Sequence, residues 1–228
     1  MSEKWLFLRS PAANAATNMA VDEALLRTAA ERRLPLLRMY AWARPAISFG
    51  YFQEFPARLA AKYEMIRRPT GGGVVYHGND TTYTVVVPPG HPLYEMSTVA
   101  AYCALHQAVA VACQRSSDKL SGKNPTLQTT PPASLRGQYE CFQNPVHGDV
   151  VAEGRKLAGG AQRRTKHGML HQGSIAAEVS ADQLQAGFRR TFQIDFQSYE
   201  LTLAEKALAE KLAQEKYATE AWNRKVRH

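Results

Sequence analysis

Three stretches of this sequence combine residue types that can do chemistry. The first runs Arg67, Arg68, Pro69, Thr70, Gly71, Gly72, Gly73, Val74, Val75, Tyr76, His77. Consecutive glycines permit positive φ and close backbone approach, so successive N–H groups can point into one concavity and hold an anion or a developing oxyanion. Arg68 adds positive charge. Asn79 follows Gly78 where a phosphate-binding P-loop needs lysine, and the strand-to-helix context of a dinucleotide fingerprint is missing. A tight turn between strands, with His77 as a hydrogen-bonded strand end, is the plainer alternative.

The second stretch is Glu153, Gly154, Arg155, Lys156, Leu157, Ala158, Gly159, Gly160, Ala161, Gln162. Glycines in mid-strand weaken a sheet, whereas a ligand chain lying against bare backbone needs small residues, so Gly159, Gly160 and Ala161 suggest an acyl groove. Lys156, at the start of that strand, can present its ammonium to a carbonyl or phosphoryl oxygen at the groove's mouth. The third is Cys141, in QYECFQNP. A strand folding back between 141 and 156 can bring thiol and ammonium together. Moving a thiol from about 8.5 to about 7 raises its thiolate fraction at neutral pH roughly tenfold. The plainer readings are a surface lysine after a hairpin and a packed cysteine beside Phe142.

The elements that must position these residues follow from periodicity. Residues 17–31 place Met19, Ala20, Ala24 and Leu25 or Leu26 at helical spacing, with Asn18 as cap and Asp22 and Glu23 in the first turns. LPLLRMYAW and PAISFGYF read as strands. IRRPTGGGVVYHGNDTTYTVVVP reads as strand, glycine turn, short strand, polar turn and strand, the last with one covered face. Residues 97–115 form an apolar helix holding Cys103 and Cys113 as inert core residues, and residues 116–140 form a long loop, functional or mobile. VHGDVVAEG, KLAGGAQRRT and GMLHQGSIAAEV make a three-stranded meander. Residues 181–192 and 202–217 are amphipathic helices, the second with Leu203, Ala207, Leu208 and Leu212 on one stripe. The expected architecture is α+β: one domain over residues 1–228, with mixed or antiparallel sheets flanked by helices packed on one side.

Composition narrows the class. The chain has 228 residues, 45% hydrophobic and 21% charged, well away from disordered or collagen-like sequences. With no run of 18 apolar residues and no signal-peptide pattern, a cytoplasmic location and no membrane role are expected. Three cysteines without CxxC spacing argue against a disulfide framework or a structural zinc site, and no metal site is expected. The balance of 28 Lys and Arg against 20 Asp and Glu, net +8, suits nucleic acid, an anionic surface or an acidic protein partner alike. Nucleic acid is disfavoured, because the basic residues are not interleaved with aromatics and no nucleic-acid motif occurs.

RRPTGGGVVYH and EGRKLAGGAQRR, with the spacing between them, resemble the signature of the catalytic domain shared by biotin ligases, lipoate ligases and octanoyltransferases. NMAVDEALL, ISFGYFQ, the GSI at 173–175 and KYATEAWN extend the resemblance from about residue 5 to 224. It implies a class II biotin/lipoate ligase-like fold. A cysteine followed by Phe ahead of the EGRK lysine is similar to the branch of octanoyl-[acyl carrier protein]:protein N-octanoyltransferases with a cysteine nucleophile. That branch implies Cys141 and Lys156 as catalytic residues. Arg68, Gly71, Gly72, Gly73, Val74, Val75, Tyr76 and His77, with Gly159, Gly160 and Ala161, are implied to bind substrate. The implied donor is acyl carrier protein and the acceptor a lipoyl-domain lysine, such as that of the glycine-cleavage H protein, in lipoate biosynthesis by a monomer without cofactors. The alternative within the family is an ATP-dependent lipoate-protein ligase, with ATP and Mg, that works through an acyl-adenylate. Two positions depart from the family pattern: Gly78 stands where an acid usually follows the histidine, and His171 precedes Gln172 and Gly173 instead of preceding glycine directly.

Overall fold

The structure is a computed structural model that describes residues 2–114, 124–129 and 145–225. In chain order its elements are β1 (Glu3–Arg9), α1 (Ala15–Arg27), α2 (Ala29–Arg32), β2 (Leu36–Tyr40), β3 (Ala46–Phe49), β4 (Glu64–Arg67), β5 (Val75–His77), β6 (Thr81–Val87), α3 (Pro92–Glu95), α4 (Thr98–Gln114), β7 (Thr126–Leu127), β8 (Val150–Ala152), β9 (Arg155–Thr165), β10 (Gly168–Ile175), α5 (Ala181–Phe192), β11 (Ile194–Ser198), α6 (Leu203–Leu212), which continues as a π-helical turn over Ala213–Tyr217, and α7 (Glu220–Asn223).

A large mixed sheet runs β11-β1-β2-β6-β10-β9-β8-β7, and a small one runs β4-β3-β5. β1 is parallel to both β11 and β2, and the β1-to-β2 return passes through α1 and α2, as a parallel crossover requires. The meander β8-β9-β10 is antiparallel throughout. Its first turn holds Glu153 and Gly154 at φ 51 and 74, the left-handed pair that a tight two-residue hairpin demands.

Both faces of the large sheet are covered, which corrects the one-sided packing that the strand–helix order suggests. Tyr83, Val85 and Val87 of β6 point to one side and join Leu105, Ala108 and Val109 of α4 and Leu184 and Phe188 of α5. The intervening Val86 joins Leu36, Leu170 and the α1 residues Met19, Ala20 and Leu25 on the other. The polar members of the alternation, Thr82 and Thr84, are buried as well, because the second face is partly a polar interior. So TTYTVVV is an alternating pattern inside a fully covered strand. Among the missed elements are β1 and β11, and Thr126–Leu127 forms a short edge strand within what reads as pure loop.

Helix α1 starts earlier than its apolar spacing suggests. Asn14 is the cap, its side chain accepting the Thr17 N–H at 2.8 Å. Asn18 instead lies inside the helix, fully buried, and donates to the carbonyls of Ala13 and Ala41. Asp22 and Glu23 lie past the first turn and serve as buried acids. Asp22 pairs with Arg38 at 2.6 Å and also accepts from Thr84 and Gln172. Glu23 holds the C-terminal segment through Lys216 and Tyr217. Burial acts to raise the Glu23 carboxyl, but bonds from Lys216 and Tyr217 outweigh it and hold the group below the ordinary value. The stripe expected on α6 is also displaced. Leu203 is 85% exposed, while Glu205, Ala209 and Leu212 are buried, because Glu205 closes a capping box with Thr202 and accepts from Arg32, Thr28 and Tyr199.

Three buried histidines set a pH limit on this fold. Burial depresses His106 to about 4 and His171 well below the ordinary imidazole value. Burial also lowers His77, against the opposing effect of Asp80. A depressed folded-state pKa means that the unfolded chain takes up protons first, so stability falls as pH drops below about 6.5. From His106 alone the loss by pH 5 is roughly 2 kcal/mol. The melting temperature at pH 5 should therefore lie below that at pH 7.5, and His106→Gln should flatten this dependence. An unchanged slope in the variant would count against the assignment.

Candidate active site

A cleft lies between the two sheets. From the small sheet and its glycine loop come Ser48, Arg68, Gly72, Val75 and His77; from the large sheet come Tyr40, Thr82, Gly159, Gly160, Ala161, Gln172, Gly173 and Ser174. Met19 of α1 and Trp42 complete the wall, and the space is about 430 Å³ counted out to its open mouth. Of the predicted binding residues, Arg68, Gly72, Val75, His77, Gly159, Gly160 and Ala161 line this cleft, whereas Gly71, Gly73, Val74 and Tyr76 do not. Tyr76 is 39% exposed and stands edge-on to Tyr63, because alternation in β5 turns it away from its buried neighbours Val75 and His77.

Arg68 is 6% exposed and holds the glycine loop. Its Nη2 donates to the carbonyls of Gly71 and Gly73, at 3.0 and 2.8 Å, and its Nη1 to Ser48 Oγ at 2.7 Å. Gly72 takes φ 87, which favours glycine, and a Cβ on Gly50 would lie 1.9 Å from the Gly72 carbonyl oxygen. The loop thus packs on bare backbone at Gly50. Thr70 donates to Gln172 Oε1, and the Gln172 amide donates to Asp22, so the loop is wired to the buried Arg38–Asp22 pair.

Lys156 owes its position to an irregularity in β9. Val150 pairs with Ala158 while Val151 pairs with Lys156, so Leu157 is an extra residue. A bulge reverses the in–out alternation, and Lys156 therefore emerges on the same face as Gly159. There its side chain, 3% exposed, pairs with Asp149 at 2.8 Å. A Cβ on Gly159 would sit 2.3 Å from Lys156 Cε and 2.5 Å from Nζ; one on Gly160 would sit 2.7 Å from the His171 ring. These two glycines are bare on their side-chain faces to admit the protein's own lysine and histidine, while their backbone borders the cleft. That refines the acyl-groove reading, which credits a ligand with the whole space.

β8 stops opposite Ala158, and among the described residues no strand pairs with that edge of β9 beyond it. Tyr102 of α4 covers that edge: its hydroxyl accepts the Gly160 N–H at 3.0 Å and donates to Asp149 Oδ1 at 2.5 Å. Burial, then the Asp149 charge, pushes the Tyr102 phenol well above its usual value, so it stays a donor. Asp149, which sequence reasoning missed, thereby joins Lys156, α4 and the meander. Its acidic type four residues before EGR carries no local signal, because the bulge and the edge that give it meaning are tertiary features. His171 lies on the opposite face of β10 from Gln172, against Tyr83 at 3.1 Å, and so faces away from the cleft.

His77 has a carboxylate after all. Asp80, beyond Gly78, reaches its Nδ1 at 2.8 Å, and Ser48 Oγ lies 2.6 Å from Nε2. Cys141 and the rest of 130–144 lie outside the described residues, as does 115–123. Cys113 is buried, and burial raises its thiol to about 12, which fits the inert role expected of it; Cys103 is partly exposed. Among the described residues no group of His, Cys, Asp and Glu is arranged to hold a metal ion, and no helix is long and apolar enough to cross a membrane.

A glycine loop laid across a cleft from the bare Gly159–Gly160 stretch of a mixed sheet, with a buried lysine packed beside Gly159, defines a recognisable class. Residues 14–207 match the lipoyl protein ligase A/B catalytic domain, and the chain belongs to that family. It is similar to octanoyltransferase LipM of Macrococcus caseolyticus, with 34% identity over 192 residues that cover 81% of this chain and 70% of the relative. LipM of Bacillus subtilis is 33% identical over 201 residues, covering 80% and 68%. Among solved structures, protein Ta0514 of T. acidophilum with bound lipoic acid superposes with a TM-score of 0.75 at 25% identity, over 98% of each chain. Lipoate-protein ligase A bound with ATP shares the fold, with a TM-score of 0.76 at 24% identity over the whole of both chains.

Proposed function

We propose that this protein is an octanoyltransferase of protein lipoylation that moves an octanoyl group from acyl carrier protein to a lipoyl-domain lysine through a thioester on Cys141. The observation that carries the reading is the likeness to octanoyltransferases named LipM, at about a third identity across four fifths of the chain. The buried Lys156 beside the Gly159 backbone of the cleft supports it. In the first step the Cys141 thiolate attacks the thioester carbonyl, and the carrier's thiol leaves with a proton. In the second, the acceptor lysine's amine attacks the acyl-enzyme, loses a proton, and returns the thiol as the amide forms. Lys156 favours the thiolate and steadies the tetrahedral oxyanion in both steps. The reaction calls for no metal and no nucleotide. The net charge of +8 suits an acidic carrier protein, and the glycine-cleavage H protein is the acceptor proposed.

Incubation with octanoyl-acyl carrier protein, read by intact mass, should give an octanoyl adduct that is absent in Cys141→Ala. An adduct that survives in that variant would refute the thioester. Pyrophosphate release from ATP and octanoate, indifferent to the substitution, would establish a ligase instead.

A further inference from the structure

We propose that the cleft carries a nucleophile of its own: Ser48, activated by His77 and Asp80, hydrolyses medium-chain acyl esters and thioesters that enter it. The three side chains come from different elements, β3, β5 and the turn before β6. Ser48 Oγ lies 2.6 Å from His77 Nε2, and His77 Nδ1 lies 2.8 Å from Asp80 Oδ2. This is the nucleophile, base and orienting-acid order of a serine hydrolase, recognised by geometry and not by chain position.

The hydrogen-bond directions are fixed by the surroundings. Arg68 Nη1 can only donate, and it donates to Ser48 Oγ at 2.7 Å. The serine's own proton must then go elsewhere, and His77 Nε2 is its partner. Asp80 works in the same sense: hydrogen bonds from His77 and Ser174 outweigh the effect of burial and hold its carboxyl below the usual value, so Nδ1 carries the imidazole's proton. Nε2 is left as the base. Trp42 stacks on the imidazole at 4.1 Å with a 15° interplanar angle, which locks the ring plane. Ser48 and His77 both line the cleft, beside Met19, Trp42 and Val75.

In the reaction His77 takes the Ser48 proton as Oγ bonds to the acyl carbonyl carbon, and Arg68, already against Oγ, stabilises the negative charge. The alcohol or thiol leaves with the proton from His77. Water then attacks the acyl-serine, gives a proton to His77, and releases the carboxylic acid and the free hydroxyl. The same bonds also fasten the small sheet to Ser174 of β10, so a purely structural tie is the competing account.

The test uses the Cys141→Ala protein, which removes any thioester on that residue and makes the result independent of the transferase reading. Two measurements apply. An octyl fluorophosphonate should leave a covalent mass adduct that peptide mapping places on Ser48. Hydrolysis of p-nitrophenyl octanoate should exceed the buffer rate and fall by roughly 10²-fold or more in Ser48→Ala and in His77→Gln. The labelling needs no change at Ser48, so it decides the matter even if Ser48→Ala fails to fold. No phosphonate on Ser48, or ester hydrolysis that survives in folded Ser48→Ala, overturns the proposal. Loss of octanoyl transfer in the Cys141→Ala background with Ser48 still labelled would leave both readings standing as separate chemistries.

Discussion

Lys156→Met is expected to lower kcat for octanoyl transfer by about 10²–10³-fold while leaving the KM for the acyl donor nearly unchanged. On the proposed mechanism the ammonium acts where charge develops, and removing one such group from a dry site costs a factor of that size. Uniform binding of the ground state depends on the walls of the cleft, which methionine does not alter, so the loss belongs in kcat. The substitution has a second effect that must be separated. Asp149 is fully buried, and without Lys156 its charge keeps Tyr102 and the Val146 N–H but loses its cation. Removing one partner of a buried pair costs about 3–5 kcal/mol. Asp149→Asn on top of Lys156→Met should recover most of that stability and none of the activity. A kcat within fivefold of the parent, in a variant shown to be folded, would remove Lys156 from the chemistry.

Asp22→Ala should destabilise the fold by about 3–5 kcal/mol, an effect set by the cation it leaves behind. Arg38 is 1% exposed and Asp22 is fully buried. Arg38 would keep its bonds to Asn18 and Ser10 and lose the carboxylate that pairs with it. Thr84 and Gln172 would lose an acceptor at the same time. For a chain of this size the melting temperature should drop by about 6–20 °C. Replacing both members, Asp22→Leu with Arg38→Met, should cost far less than the two single changes together, because neither charge of the pair is then left buried without its partner. Denaturant unfolding measures all of these, and a loss below about 1 kcal/mol for Asp22→Ala would show that Arg38 does not depend on Asp22 for its burial. Gln172 and Thr70 connect this pair to the glycine loop, so octanoyl transfer should weaken in any of these variants that loosen the loop.

Much of the architecture was legible in the sequence. Residues 181–192 and the long apolar helix near 97–115 are read almost to the residue, because an amphipathic pattern marks one and an unbroken apolar run the other. The meander was visible too, but its first turn, expected at Gly154 and Arg155, falls one residue earlier, where Glu153 and Gly154 take the left-handed conformation. The sequence was misleading where a polar residue has a buried partner. Asn18 looks like a helix cap and is an interior hydrogen-bonding hub, and Leu203 looks like core and is exposed because Glu205 takes the buried position. β1 and β11 went unread because their pairing is parallel and joins distant parts of the chain.

By itself the sequence determined the family, the mixed α+β class, the glycine loop at 71–73 and the lysine of EGRK, all of which rest on local residue types in a fixed order. Only the tertiary structure decided what those residues face. A one-residue bulge at Leu157 puts Lys156 over Gly159 and against Asp149, and Asp80 rather than a neighbour of His77 supplies that histidine's carboxylate. The reason is physical: alternation, burial and charge pairing are set by register and by strands far apart in the chain, and a linear pattern records the residue types without the register that aims them.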